Sequence, residues 1–369
     1  MPATLLMNGL HSTGWRNTLL KAAESHETPF FVLSRKRLQE SMESFGRAVK
    51  SVFPGAKTCF SVKTNPHPSV LKEISRQGFG FEVASARELD LVKGFKAFKV
   101  FNGPCKTDKE VREALHQNAF IVLDSFSDLE LVARVFGTHP PKSLDVGLRL
   151  NVGGKKFGFS LDQLALARAQ CHEKGLNPVL LHVHPGTQES LEKYGAFLND
   201  VVRVLEQDGD WKFIDFGGGF PDATALQESR HTLKEYVDLI QDRVGFLLKD
   251  KTAVFEPGRC MVSHSMALLC KVRHVKELNG IRFAVLDAGI NVLQRSTLNR
   301  FQYRVLNESK GKKALVKLAG PTLMGFDELT TITAHINPKD WVVVENVGAY
   351  CTSMSWTLSY PLPKIVEVD

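Results

Sequence analysis

From residue 57 onward, short apolar runs rich in β-branched and aromatic residues alternate with amphipathic stretches of ten to twenty residues. The runs are TCFSVK (58–63), GFGFEV (78–83), FKVFN (98–102), AFIVLD (119–124), LDVGLRL (144–150), VLLHVH (179–184), KFIDF (212–216) and TAVFE (252–256). Helix-like segments such as DKEVREALHQ, SDLELVARVF and LEKYGAFLNDVVRVLEQDG lie between them, several opening on a Ser or Asp cap. Eight β runs with helices between them predict an α/β fold of parallel strands joined by crossovers. Over about 200 residues that pattern favours a closed (β/α)8 TIM barrel, with an open doubly wound sheet as the alternative.

After Glu256 the rhythm changes. SMALLCKVRHV (265–275), IRFAVLDAG (281–289), KALVKLAG (313–320) and WVVVENVG (341–348) are punctuated by Gly, Pro and Asn, with no long amphipathic helix between them. This predicts a second, mostly antiparallel β-rich domain. The expected division is a barrel over 29–257 and a β-rich domain over 258–369. Residues 1–28 fit neither pattern, and the expectation is that they add a strand to the tail domain.

Composition narrows the classes. The 369 residues carry 47 Lys+Arg against 40 Asp+Glu, a formal balance of +7. No apolar run approaches the roughly 18 residues of a membrane span. Basic residues alternate with acids, as in KTDKEVREAL (106–115), so no concentrated nucleic-acid face is expected. An affinity for anionic metabolites suits the charge. The six cysteines show no C-x-x-C and no disulfide framework, which argues for a reducing compartment and against structural zinc. The amino end is a poor signal peptide, so the cytoplasm is the expected location.

In such a barrel, chemistry sits at the carboxyl ends of the strands. There the sequence places Lys63, Glu82, Asn102, Asp124, Arg149, His184, Asp215 and Glu256. An apolar strand ending in an ionisable group sacrifices stability, and eight such endings in register point to a site. Each has a plainer alternative: Lys63 as a solvated lysine, His184 as a core imidazole, and Asn102, Asp124 and Asp215 as helix caps. Capping is the expectation for Asn102 and Asp124. The run Gly217-Gly218-Gly219 allows close backbone approach to an anion, with Arg259 as counter-charge, although a tight turn also explains it.

FSVKTNPHPSVL followed by GFGFEVASAREL resembles the lysine segment of the fold-type III pyridoxal-phosphate (PLP) decarboxylases, the ornithine and diaminopimelate decarboxylase family. HVHPGT, FIDFGGGFP, FEPGR, LDAGIN, a Gly-Pro pair followed by Asp327, and ENVGAY are similar to the family's motifs and follow its order, from about residue 28 to 360. The resemblance implies an alanine-racemase-like barrel with a C-terminal β domain. It also implies that Lys63 binds PLP covalently, that His184 stacks on the pyridine ring, and that Glu256 pairs with the ring nitrogen. Gly217, Gly218, Gly219, Arg259 and Tyr350 would hold the phosphate, and Glu82 and Arg149 match charged positions around the cofactor. A carboxylate at the ring nitrogen favours decarboxylation over racemisation. Active sites shared between two protomers, hence a homodimer, are implied as well.

The sequence departs from the family after Pro321. Leu323 and Met324 stand where the family has a cysteine, associated with returning the Cα proton, and an acid that grips a distal ammonium. Free ornithine and lysine are therefore expected to be poor substrates. Arg295 matches an arginine that the diaminopimelate branch uses on the substrate's carboxylate, while the tyrosine of that branch is Asn299 here. A small-molecule or carrier-bound amino acid with a distal carboxylate, of the kind met in siderophore or antibiotic pathways, is the expected substrate. Diaminopimelate decarboxylation is the alternative. Two rivals are an oxidative or racemising enzyme on the same cofactor and a non-catalytic regulatory relative. Cys351, beside Tyr350, is an improbable replacement proton donor.

Overall fold

The computed structural model describes residues 13–137, 143–294 and 300–369, and the chain divides into two compact units. One comprises Met42–Pro221 and Arg230–Gly258; the other takes the chain up to Ser41, Asp222–Ser229 and Arg259–Asp369. Strand β1 (Phe30–Ser34) belongs to the second unit. The first unit is a closed barrel of parallel strands in sequence order: β2 (Lys57–Ser61), β3 (Gly80–Val83), β4 (Lys99–Phe101), β5 (Phe120–Leu123), β6 (Leu144–Arg149), β7 (Leu176–His182), β8 (Phe213–Asp215) and β9 (Thr252–Phe255). Pairing of β2 with β9 closes it, so the doubly wound alternative is excluded.

Helices Pro68–Arg76, Ala86–Val92, Asp108–His116, Phe126–Phe136, Leu161–Glu173, Leu191–Gln207 and Leu233–Val244 return the chain from strand to strand. Ser85, Thr107, Ser125, Ser190 and Thr232 cap five of these, each accepting from the amide three residues on. The expectation that Asn102 and Asp124 cap helices is therefore wrong. The helices after β4 and β5 begin later, and Thr107 and Ser125 satisfy their first amides.

The second unit is β-rich: β10 (Met266–Leu278), β11 (Ile281–Leu286), β12 (Gln302–Val305), β13 (Ala314–Ala319), β14 (Glu328–Ala334), β15 (Trp341–Glu345) and β16 (Lys364–Val368) join β1. Most pairings are antiparallel; β11–β13 and β1–β16 are parallel. Two expectations at the amino end need correction. Of residues 1–28, the first twelve lie outside the described residues and Thr13–Ser25 form a helix rather than a strand, with Trp15, Leu19, Ala22 and Ala23 burying one face of it against Phe30, Ala267, Leu269 and Val343. The strand is β1, assigned by sequence to the barrel. Its five buried residues, FFVLS, suit a strand flanked on both edges, by β10 and β16. Among the described residues, no helix is long and apolar enough to cross a membrane.

Candidate active site

Inside the barrel, Cys59, Val100, Val122, Leu180 and Val254 form an apolar cluster with Phe98, Phe120 and Phe213 against it. Two residues further along a strand, the side chain returns to the same face. At that step the eight strands read Ser61, Glu82, Asn102, Asp124, Arg149, His182, Asp215 and Glu256, a complete switch from apolar to polar. The positions beneath Glu82 and Arg149 are glycines, where a Cβ would lie 3.1 Å from Cys59 Sγ (Gly80) and 2.8 Å from Leu180 Cδ2 (Gly147). Strand register aligns Ser61 with Glu82, Arg149 with His182 and His182 with Asp215. Lys63 and His184 stand just beyond this layer, Lys63 in the turn Val62–Thr64.

Lys63 Nζ lies 2.5 Å from Glu82 Oε2, which also accepts Ser61 Oγ at 2.6 Å. Glu82 is buried whereas the lysine is partly open. Gly258 makes this turn possible, since a Cβ there would come within 2.3 Å of Thr64 Oγ1. His184 is half-buried. Desolvation, then the Lys63 charge, lowers its pKa to about 3, so its ring is neutral.

Glu256 stands at the centre of a second cluster. Its Oε1 accepts Asn102 Nδ2 at 2.6 Å, and its Oε2 lies 3.1 Å from His182 Nε2. Asp215 Oδ1 accepts the Gly217 amide at 2.9 Å. One side-chain nitrogen or oxygen each from His182, Asp215 and Glu256 lie within 4.8 Å of one another. Burial pushes both carboxyl pKa values up, that of Asp215 well up, and pushes His182 down.

The glycine run tolerates no side chain: a Cβ on Gly217 would meet Val183 O at 2.5 Å, one on Gly218 the Glu256 carbonyl at 2.7 Å, and one on Gly219 Pro185 Cγ at 2.9 Å. Gly217 and Gly219 also have φ of +63° and +87°. The Gly217 amide is committed to Asp215, so of the three it serves the turn. Arg149 Nη1 is 3.5 Å from Asp124 Oδ1, and its guanidinium covers the Phe157 ring at 4.4 Å. In the β-rich unit, buried Arg259 lies over the Tyr350 ring at 4.8 Å, and Tyr350 holds a left-handed φ of +62°. Burial raises the Cys351 thiol to about 12. Leu323 is 96% exposed, and Met324 is half-buried beside it. Arg295 and Asn299 lie outside the described residues.

These residues fit pyridoxal phosphate. An amine beside a proton acceptor, a neutral ring, a buried carboxylate and a cradle that any Cβ would fill are the parts it requires. Ser61 and His182 were not singled out in the sequence, and Asn102 was set aside as a cap. The available signal was the period of two: each sits two residues past an inward apolar residue, in register with Glu82 and Glu256.

The family model of the pyridoxal-dependent decarboxylases, pyridoxal binding domain, matches residues 39–263. Diaminopimelate decarboxylase from Helicobacter pylori is 29% identical, with 94% of this chain and 91% of that protein covered. Diaminopimelate decarboxylase from Aquifex aeolicus is 26% identical, with 92% and 86% covered. Among solved structures, lysine/ornithine decarboxylase from Vibrio vulnificus complexed with putrescine superposes with a TM-score of 0.84 at 20% identity, covering 97% of this chain and 99% of that one. With the pyridoxal-binding domain matched across most of the barrel, the chain belongs to the pyridoxal-dependent decarboxylases and is a PLP-dependent amino-acid carboxy-lyase.

Proposed function

We propose that the chain removes CO2 from an amino acid whose far end is not a lone ammonium, with Lys63, Glu82, His184 and Glu256 as the residues that bind and work the coenzyme. Pyridoxal phosphate supplies an electron sink for the bonding pair released when CO2 leaves Cα. Lys63 must be neutral to attack a carbonyl, and Glu82 Oε2, 2.5 Å from Nζ, is placed to take that proton and return it. Neutral His184 offers a flat uncharged face to an aromatic ring. Glu256 retains lone pairs beyond those used by Asn102 and His182, so it can accept a pyridinium N–H and favour that charged form. The Gly218 and Gly219 amides are the proposed phosphate ligands of the barrel unit.

The substrate class rests on one observation. The segment after Gly320-Pro321 offers Leu323, Met324 and Phe326, and its first acid, Asp327, is already spent. Asp327 Oδ1 accepts the Ile290 amide at 2.8 Å, and Oδ2 accepts the amide and hydroxyl of Thr322 at 2.9 and 2.6 Å. A distal ammonium brought to this segment finds no free carboxylate, whereas a distal acid or conjugated group needs none. A carrier-bound or conjugated amino acid of siderophore or antibiotic assembly meets the same requirement. A second reading, diaminopimelate decarboxylation, is favoured by the names of the relatives and by their coverage of nearly the whole chain.

A homodimer belongs to this proposal. Leu323, Phe326, Met354, Leu358 and Leu362 expose apolar side chains on the β-rich unit, and Tyr360 Oη ties their two loops by donating to Pro321 O at 2.8 Å. Steady-state CO2 release tests the substrate. Amino acids with a distal carboxylate should be turned over, and free lysine and ornithine should have kcat/KM lower by about 100-fold or more. Efficient release from either diamine precursor would overturn the proposal, and release from meso-diaminopimelate alone would establish the second reading.

A further inference from the structure

We propose that Asp215 holds the proton of a buried carboxyl pair, and that His182 and Asn102 are positioning residues that keep Glu256 ionised and aimed. On this view the four residues together set the charge presented to the coenzyme's ring nitrogen. The inference rests on the proposal above that Glu256 faces that nitrogen.

Asp215, Glu256 and His182 are at most 2% exposed, and one polar side-chain atom of each converges within 4.8 Å of the others. Two carboxylates this close in a dry site do not both ionise. Donor counting shows which one keeps the proton. Glu256 is supplied at both oxygens, by Asn102 Nδ2 at 2.6 Å and by His182 Nε2 at 3.1 Å. Asp215 receives the Gly217 amide at Oδ1, and among the described residues no donor reaches its buried Oδ2. Donors stabilise the charged form, so the negative charge belongs on Glu256 and the proton on Asp215, which donates it to Glu256 in a side-chain hydrogen bond that raises the one pKa and lowers the other.

The His182 tautomer follows from the same network. Its Nδ1 is buried and has no hydrogen-bond partner among the described residues. A proton there would leave an orphaned donor, whereas a proton on Nε2 is donated to the Glu256 carboxylate; Asn102 Nδ2 also lies 3.1 Å from Nε2, but its shorter bond, 2.6 Å, goes to Glu256 Oε1. Burial disfavours the imidazolium, so His182 stays neutral while donating. Other ionisable groups acting on the cluster are Lys63, Arg149, Glu82 and Cys59, with Lys106 and His184 acting on His182; Lys63 and Arg149 favour an ionised Glu256, and Glu82 opposes a second negative charge. A glutamate desolvated to this degree with neither donor would take up the proton itself and present a neutral acid. The sequence offers the network on one face: His182 follows Leu180, Asn102 follows Val100, Glu256 follows Val254 and Asp215 follows Phe213, each by two residues.

Two measurements on the holoenzyme test this. The infrared carbonyl band of a protonated carboxylic acid should be present at neutral pH, disappear in Asp215→Asn and persist in Glu256→Gln; loss in Glu256→Gln alone would overturn the assignment. With ring-15N-labelled pyridoxal phosphate, the nitrogen shift should report the protonated ring in the parent. It should move toward the unprotonated value in His182→Leu and return in His182→Gln, which keeps a donor. kcat should fall about tenfold or more in His182→Leu with little change in KM. A His182→Leu enzyme that keeps the protonated shift while losing only thermal stability would reduce His182 to packing and overturn the proposal. If Glu256→Gln itself keeps that shift, Glu256 does not face the nitrogen, and the underlying reading falls together with this one.

Discussion

Lys63 and Glu82 divide the demands of the site between an open side chain and a closed one. The amine must reach a ligand, so it is partly exposed; the carboxylate must stay put, so it is buried and held by Ser61. Glu82→Gln keeps the shape but removes the acceptor for the lysine proton. The expected result is coenzyme loading and kcat/KM slowed about tenfold or more, read by absorbance and by CO2 release. Unaltered kinetics would assign Glu82 to structure alone. His184 makes a separate prediction. Its pKa of about 3 means that, in protein stripped of coenzyme, its ring resonances should not titrate between pH 5 and 8, where an ordinary histidine would.

Secondary-structure elements carry these residues through alternation along the strands, and that is why so much of the barrel was legible. All eight strands were visible as apolar runs, and Lys63, His184 and Glu256 as polar ends. What stayed hidden were two members of the polar layer. Ser61 and His182 lie within apolar runs, and neither residue type announces a partner 21 or 74 positions away. The strand β1 was misassigned because adjacency in sequence to the barrel says nothing about which sheet edge will accept FFVLS. Two predictions belong here. Gly218→Ala would drive a Cβ to 2.7 Å from the Glu256 carbonyl, costing about 1–3 kcal/mol and weakening coenzyme affinity at least tenfold in an absorbance titration. His264, buried beside Thr224 in the β-rich unit, has its pKa lowered by burial to about 4. A histidine depressed in the folded state gives stability that is complete above its unfolded value of 6.5 and is lost as pH falls toward 4. Denaturation of His264→Gln should therefore be less sensitive to acid than the parent over that window, by up to about 1.4 kcal/mol per pH unit; parallel curves would contradict a neutral buried His264.

For the whole molecule, the exposed apolar side chains around Leu323 and Leu358 predict a dimer in solution. Sedimentation should give twice the chain mass, and Leu323→Glu should shift the midpoint of dissociation to higher concentration; a monomer at all concentrations would remove the shared-site component of the account. Every functional role assigned here depends on a covalent link between one lysine and the coenzyme. Borohydride reduction of the loaded protein, followed by peptide mass spectrometry, tests that link directly. The account predicts a pyridoxyl adduct on Lys63 that is absent from Lys63→Ala; an adduct on another lysine, or an undiminished yield in Lys63→Ala, would contradict it.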